Sequence, residues 1–288
     1  MADHSLKRAL DGGGFVLAPG VFDMMSLLMA DKHDFQALYF SGFWNAASAL
    51  GIPDAGLATY RDFISQISKI TKMTSTPLIA DADTGFGGLL NLDHTVRGYE
   101  EAGVAAIQIE DQVSPKKCGH QPGRQVVPLE EMVTRVQVAV AARTNDDFKI
   151  IARTDARDIE GLDKSILRAQ AYHAAGADIT FIEAPRSIEE MRRICQDVDA
   201  PQMVNMAHGG RAPILSASEL EDIGYAIAIV PSAPALGALQ GLSDVYAKLA
   251  DGVTNCEDHL SLYDFQTFCD DIGFPDIRAF EKKWADKD

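Results

Sequence analysis

Two acids one residue apart, Asp81 and Asp83, stand in the run DADTGFGG at residues 81–88. Alternate side chains of an extended strand share a face, so both carboxylates point the same way. Gly85, Gly87 and Gly88 follow, and let the backbone turn tightly beside a ligand. Hard carboxylate oxygens suit Mg²⁺, or Mn²⁺, with water and substrate oxygens completing the shell. There is no HxH or HExxH to favour Zn²⁺. A solvated turn would use the same residues. Glu110-Asp111 tips the balance, because it closes the next apolar run and puts acids at an adjacent strand end.

The segment SPKKCGHQPGR, residues 114–124, adds a thiol. Lys116 and Lys117 precede Cys118, and Gly119 and His120 follow it. Neighbouring cations and an imidazole lower a thiol's pKa, which predicts a group able to exchange one proton near neutral pH. Gly119, Gly123, Pro115 and Pro122 suit a loop that closes as a lid. An exposed basic loop with an incidental cysteine is the plainer alternative. A cysteine protease lacks support, since no CGSCW-type segment is present.

Other polar residues also close apolar runs: Ser41-Gly42, Arg153-Thr154-Asp155, Glu183, Asn205 and Pro231-Ser232. Arg153 suits a bidentate carboxylate clamp, or equally a buried pair with Glu183 or Asp155. Asn205 could donate to a substrate carboxylate or cap its strand. Arg211, in HGGRAP at 208–213, reads as a solvated loop arginine or a second cation for the substrate.

Eight short apolar runs position these groups: residues 15–20, 37–42, 77–83, 105–111, 149–155, 179–184, 201–206 and 225–231. Near-continuous hydrophobicity suits parallel strands covered on both faces. Helical patterns lie between them at 59–73, 95–102, 129–143, 162–175, 188–197, 216–223 and 233–249, with Gly103, Gly176 and Gly224 as helix stops. The alternation predicts a single (β/α)₈ TIM-type barrel over residues 1–288, with its site at the strands' C-terminal ends. An open doubly wound sheet is disfavoured, because no GxGxxG follows the first strand. Residues 257–288 form an extra helical extension (helices over 260–271 and 276–287) that packs on the barrel or on a neighbouring subunit.

The 288-residue chain is 47% hydrophobic, enough for a large core, and carries a net charge of −16. That charge argues against nucleic acid and anionic membranes as partners. The N-terminal MADHSLKRALDGGG has no apolar signal region, no run is long enough to span a membrane, and the four cysteines show no CxxC spacing. Reduced thiols and a cytoplasmic location are the simple expectation.

ADADTGFGG, IEDQ at 109–112, KKCGH at 116–120, ARTDA at 152–156, Glu183 and Asn205 together resemble the isocitrate lyase/phosphoenolpyruvate mutase superfamily. The resemblance runs from Leu17 to Ser232, and KKCGH after IEDQ marks the lyase branch. It implies that Asp81 contacts Mg²⁺ most directly, while Asp54, Asp83 and Glu110 act mostly through water. Ser41, Gly42 and Phe43 would hold a keto acid carboxylate, and Arg153 its oxygens. Lys116, Cys118, Gly119 and His120 would form the closing loop. Glu183, Asn205, Arg211 and Ser232 would line the substrate pocket. Cys118, Lys116, His120, Arg153 and Glu110 would carry the chemistry. The implied reaction splits a small 2-hydroxy di- or tricarboxylate, of the 2,3-dimethylmalate or 2-methylisocitrate type, into pyruvate and a saturated acid. The family also implies a homotetramer with a helix exchanged between subunits. HGGRAP resembles the dimethylmalate lyase and oxaloacetate hydrolase branch, and Pro231 resembles the lyases. Phe43-Trp44 departs from the smaller residues usual there, and either narrows the pocket or packs behind it. Oxaloacetate hydrolysis is the alternative activity. The Cys118 loop argues against a phosphonopyruvate-type P–C enzyme, and the intact set of polar residues argues against a catalytically silent barrel.

Overall fold

The computed structural model describes Leu6, Leu10 and residues 13–285. Most of the N-terminal segment, and the end of the last expected helix, lie outside the described residues. The eight apolar runs form eight parallel strands: β1 (Val16–Val21), β2 (Leu38–Phe40), β3 (Leu78–Asp81), β4 (Ala106–Glu110), β5 (Lys149–Thr154), β6 (Ile179–Ile182), β7 (Gln202–Asn205) and β8 (Ile227–Val230). Each pairs with the next, and β8 pairs with β1, so the barrel is closed.

Strand parity sorts the side chains. Tyr39, Ile79, Ala106, Ile151, Ile179, Phe181, Met203, Ile227 and Ile229 fill the barrel interior. Leu38, Phe40, Leu78, Ala80, Ile107, Ile109, Ile150 and Ala152 point outward, to a second apolar layer under the helices. Continuing the inward set one step toward the C-terminal rim reaches Ser41, Asp81, Glu110 (above Gln108), Arg153, Glu183 and Asn205. The mouth of the barrel is therefore polar because the otherwise apolar inward series ends in these residues.

Among the described residues the helices comprise α1 (Met24–Ala30), α2 (Gly42–Asn45), α3 (Tyr60–Met73), α4 (Leu89–Glu101), α5 (Leu129–Ala142), α6 (Arg157–Glu160), α7 (Leu162–Ala174), α8 (Ile188–Asp197), α9 (Ala217–Ile223), α10 (Ser232–Ala250), α11 (Phe265–Asp271) and α12 (Phe274–Ala285). Helix α4 is longer than the expected 95–102. It starts after Gly88, and its buried Leu92, Val96 and Tyr99 form one stripe. The short helices α1, α2 and α6 carry too few periodic positions to read from sequence. Gly103, Gly176 and Gly224 follow α4, α7 and α9 with φ of 86°, 110° and 110°, the left-handed stop expected of them. None of the described helices is long and apolar enough to cross a membrane.

The chain divides into two compact units, Met1–Ala235 and Leu236–Asp288. The second unit begins inside α10, earlier than the extension expected at 257. It exposes many large apolar side chains, among them Leu239, Tyr246, Phe265, Ile277 and Phe280.

Barrel closure passes through a tight contact at Gly20. A Cβ there would lie 2.6 Å from the carbonyl oxygen of Pro231 and 2.7 Å from its Cα. Backbone atoms cannot yield as a flexible side chain can, so β1 and β8 would have to part. Gly20→Ala is expected to lose about 1–3 kcal/mol of stability, read as a lower urea midpoint. An unchanged midpoint would show that the seam has slack.

Candidate active site

Asp81 ends β3 in a fixed orientation. Its Oδ1 accepts from the Asp83 amide at 3.0 Å and from Gln108 Nε2 at 3.4 Å, and its Oδ2 accepts from the Gly42 amide at 3.3 Å. Tyr39 OH donates to Gln108 Oε1 at 3.1 Å from the interior layer below. Position 42 must be glycine for this approach, since a Cβ would sit 2.9 Å from Asp81 Oδ2. Ser41 caps α2 by accepting from the Trp44 amide at 3.5 Å. Trp44 Nε1 in turn donates to Ser232 Oγ at 3.4 Å, and its ring meets that of Phe43 edge to face at 5.0 Å. The aromatic pair thus links α2 to the start of α10.

Lys116 is buried between two acids. Its Nζ lies 2.5 Å from Asp54 Oδ1 and 2.7 Å from Asp83 Oδ1. The Cys118 amide donates to the Asp54 carbonyl at 3.1 Å. Gln112 holds the Lys117 amide and carbonyl, while Lys117 Nζ turns away to the Gly123 carbonyl at 3.2 Å. The loop is therefore docked on the barrel mouth. Gly119 packs so closely on Arg153 that a Cβ would fall 2.3 Å from Nη2. His120 abuts Gly210 of the HGGRAP loop in the same way.

Docking changes the expected chemistry of the thiol. Burial pushes the Cys118 pKa up, against the lowering expected from its neighbours. The hydrogen bond from His120's backbone and the charges of Arg153 and Lys116 pull it down, but less than burial and Asp54 raise it. Lys116 spends its charge on Asp54 and Asp83, and Lys117 faces away. Folding therefore favours the thiol form of Cys118 over the thiolate.

Arg153 turns out to be the buried pair and also a mouth residue. It grips Asp155 with Nε and Nη2, both at 3.0 Å, and lies 3.4 Å from Glu110 Oε2 and 3.4 Å from Glu183 Oε2. Its guanidinium carbon stands 5.4 Å over the Phe181 ring. Glu183 Oε1 accepts from the Ala184 amide at 2.9 Å, and Glu183 Oε2 from Asn205 Nδ2 at 3.1 Å. Arg211 is placed elsewhere. Its half-exposed side chain pairs with Asp158, outside the cluster around Asp81 and Arg153.

Six carboxylates, those of Asp54, Asp81, Asp83, Glu110, Asp155 and Glu183, thus share a buried space with Lys116, Arg153 and Arg124. Burial raises Asp83 to about 7 and raises Glu110 well above the usual carboxylate range, though Lys116 and Arg153 pull against it. Glu110 Oε1, Asn205 Oδ1 and His120 Nδ1 are buried without a hydrogen-bond partner. Orphaned polar atoms around an acid-rich mouth fit a bound cation and an anionic ligand. Among the described residues no three acids, histidines or cysteines converge as direct metal ligands. The donor set therefore suits Mg²⁺, which keeps several waters and takes one or two carboxylates.

Glu110 and Asp111 read alike in sequence, but strand parity separates them. Asp111 faces outward. It accepts from Thr154 Oγ1 at 2.6 Å, Tyr172 OH at 2.8 Å and the Asp155 amide at 2.9 Å. It is a brace behind Asp155, not a mouth acid. Gln108 and Tyr39 were legible by stepping back two residues from Glu110 and Ser41. Arg124 and Asp158 gave no sequence signal, because both come from irregular segments or a one-turn helix.

A family model described as phosphoenolpyruvate phosphomutase matches residues 6–250. The chain belongs to this family, within the isocitrate lyase/phosphoenolpyruvate mutase superfamily. It is 43% identical over 280 residues to 2,3-dimethylmalate lyase of Eubacterium barkeri, covering 97% of each chain. It is 41% identical over 281 residues to 2-methylisocitrate lyase of Aeropyrum pernix, covering 98% of this chain and 89% of the relative. Relatives of this kind place it among the superfamily's carbon–carbon lyases. The structure of oxaloacetate acetylhydrolase bound to 3,3-difluorooxalacetate aligns with TM-score 0.91 at 30% identity, over 100% of this chain and 99% of that one. A phosphonopyruvate hydrolase crystallised with oxalate and Mg²⁺ aligns with TM-score 0.87 at 27% identity, over 99% and 100%.

Burial lifts Asp111 to about 6, helped by the neighbouring Asp155 carboxylate and opposed by its hydrogen bonds. A carboxyl whose folded pKa is raised favours folding most below its unfolded value, and that advantage is lost as pH rises through the folded value. In metal-free protein, the stability of the wild type relative to Asp111→Asn should therefore fall by about 2 kcal/mol between pH 3.8 and pH 6. A pH-independent difference in urea unfolding would contradict the assignment.

Proposed function

We propose that this lyase cleaves the C2–C3 bond of a small 2-hydroxy dicarboxylate of the 2,3-dimethylmalate type, releasing pyruvate and a saturated acid. The observation that carries this reading is the docked loop. It seats a protonated Cys118 thiol over an acid-rich mouth whose guanidinium, Arg153, faces Gly119 of the same loop. A thiol that keeps its proton is the right group to cap a carbanion, and a thiolate is not.

Mg²⁺, or Mn²⁺, would be held by Asp81, with Asp54, Asp83 and Glu110 acting through water; as a Lewis acid it would draw charge from the scissile bond. Ser41 and the amides of Gly42 and Phe43 would take the keto acid carboxylate at the start of α2. Arg153 would hold the same half of the substrate. Glu183 and Asn205, whose Oδ1 has no partner, would line the pocket of the other product. Lys116 fastens the loop through Asp54 and Asp83 while His120 and Gly119 close it against Gly210 and Arg153. As the bond breaks, its electrons pass into the carboxylate-stabilised carbanion, which takes the Cys118 proton. The 2-hydroxyl gives its proton to an ionised carboxylate of the mouth as the bond breaks, and that proton then returns to the Cys118 thiolate, so no net proton is consumed.

Two features favour the dicarboxylate over methylisocitrate. Arg211, which with His120 is a candidate cation for a third carboxylate, is engaged by Asp158, and the bulky Phe43-Trp44 pair stands at the start of α2. The 2,3-dimethylmalate lyase relative matches 97% of the chain. Oxaloacetate hydrolysis is the second reading, favoured by the likeness to oxaloacetate acetylhydrolase. The apolar second unit supports assembly of subunits, a homotetramer with an exchanged helix by family resemblance. Light scattering tests that mass directly.

The protein with Mg²⁺ should release pyruvate from 2,3-dimethylmalate more efficiently than from methylisocitrate. Incubation with those two, isocitrate, oxaloacetate and phosphonopyruvate separates the readings, and oxalate as the sole product would overturn the lyase assignment. Cys118→Ser should lower kcat by ~10²–10⁴-fold, while calorimetry still detects pyruvate binding. A near-normal kcat would remove the thiol from the mechanism. EDTA should abolish turnover, and added Mg²⁺ or Mn²⁺ should restore it. Full activity after exhaustive chelation would refute the cation's role.

A further inference from the structure

Arg124 belongs to the Cys118 loop, yet it is buried and reaches past the loop into the barrel's charge network. Its Nε donates to the Gln121 carbonyl at 3.0 Å, which fixes it to its own loop. Its Nη1 donates to Asp155 Oδ1 at 2.8 Å and its Nη2 to Asp158 Oδ2 at 2.5 Å. Asp155 Oδ1 also accepts from Arg153 Nη2 at 3.0 Å. One carboxylate oxygen is therefore shared between the loop's arginine and the mouth's arginine. The Asp155 backbone is itself anchored, its amide donating to Asp111 Oδ1 at 2.9 Å. The contact of Gly119 with Arg153 Nη2 touches the same guanidinium from above.

We propose that Arg124 is a positioning residue that makes docking of the Cys118 loop and orientation of Arg153 a single event. With the loop docked, Arg124 neutralises part of Asp155. Arg153 is then held in place but not fully spent, and its charge remains available to an incoming carboxylate. With the loop lifted, Arg124 leaves, and Asp155 has Arg153 alone as its cationic partner. A buried carboxylate left with a single cation tightens the two-bond pair it already makes with Arg153 Nε and Nη2. The substrate's clamp is thus set only when the proton-bearing loop is down. The catalytic half of this inference rests on Arg153 as carboxylate clamp. The structural half does not, and it can be read without substrate.

The test measures the rate at which neutral iodoacetamide modifies Cys118 in metal-free protein, followed by peptide mass so that the other cysteines do not interfere. Arg124→Ala is expected to speed modification about tenfold. Coupling is reciprocal, so Arg153→Lys should also speed it, although Arg153 lies on β5 and not on the loop. The double variant should be no faster than the faster single one. Arg124→Lys keeps the charge but lacks the planar fork that joins Asp155, Asp158 and the Gln121 carbonyl at once, and should fall between wild type and Arg124→Ala. It supplies the same cycle if Arg124→Ala fails to fold by circular dichroism. Independent, multiplying effects of the two sites would overturn the coupling, as would unchanged modification in the Arg124 variants. In the presence of Mg²⁺, oxalate affinity should fall about tenfold in Arg124→Ala, with partial recovery in Arg124→Lys. Faster Cys118 modification with unchanged oxalate affinity would also overturn the proposal. If wild type itself binds no oxalate, the functional reading fails, and the modification cycle still decides the coupling.

Discussion

Arg153 sits among Asp155, Glu110 and Glu183 in a space closed to water, and few arrangements in the barrel could survive without it. A buried carboxylate is costly unless cations and hydrogen bonds answer it. Here Asp155 is answered well: burial pushes its pKa up, but Arg153 and Arg124 hold it below the usual range. Glu110 and Asp83 are answered less well and are raised. The imbalance leaves carboxyls near Asp81 that carry charge poorly without a cation, while Asp155 and Glu183 keep the guanidinium in place beside them. A site that must receive both a cation and an anion benefits from this separation. Each visitor supplies what the protein withholds on that side of the mouth.

The docked loop ties this electrostatics to proton transfer. Lys116, Gly119, His120 and Arg124 each reach a different wall: Asp54 and Asp83, Arg153, Gly210, and Asp155 with Asp158. Four anchors within nine residues of chain explain why Cys118 is half-buried despite lying in a glycine- and proline-rich segment. Burial, in turn, decides the protonation state of the thiol. Charge counting along the sequence misses this, because it credits Lys116 and Lys117 to Cys118, whereas folding gives them to other partners.

The barrel and the polar ring at its mouth were legible because both follow from a two-residue period. Knowing that Ile79 and Ile151 are apolar and inward is enough to place Asp81 and Arg153 at the rim, on the two strands that flank β4. The same period should have separated Glu110 from Asp111, which only the fold makes plain. What could not be read was contact between segments far apart in sequence. Lys116 with Asp54, Arg124 with Asp155 and Asp158, and Trp44 with Ser232 join loops and short helices whose paths no local pattern fixes. Arg211 shows the limit from the other side. A loop arginine near Asn205 in sequence is turned to Asp158 by an ion pair that the sequence does not announce.

Strand parity has one more consequence. A single residue inserted within β4 upstream of Gln108 would carry Ile109 and Asp111 inward and turn Glu110 toward the helices, and every polar group on that strand would change sides together. A two-residue insertion would restore the facing while shifting the height. The strands therefore tolerate length changes only in even steps. The loops between them carry no such restriction, which leaves them free to diverge in length while the mouth's chemistry stays in frame.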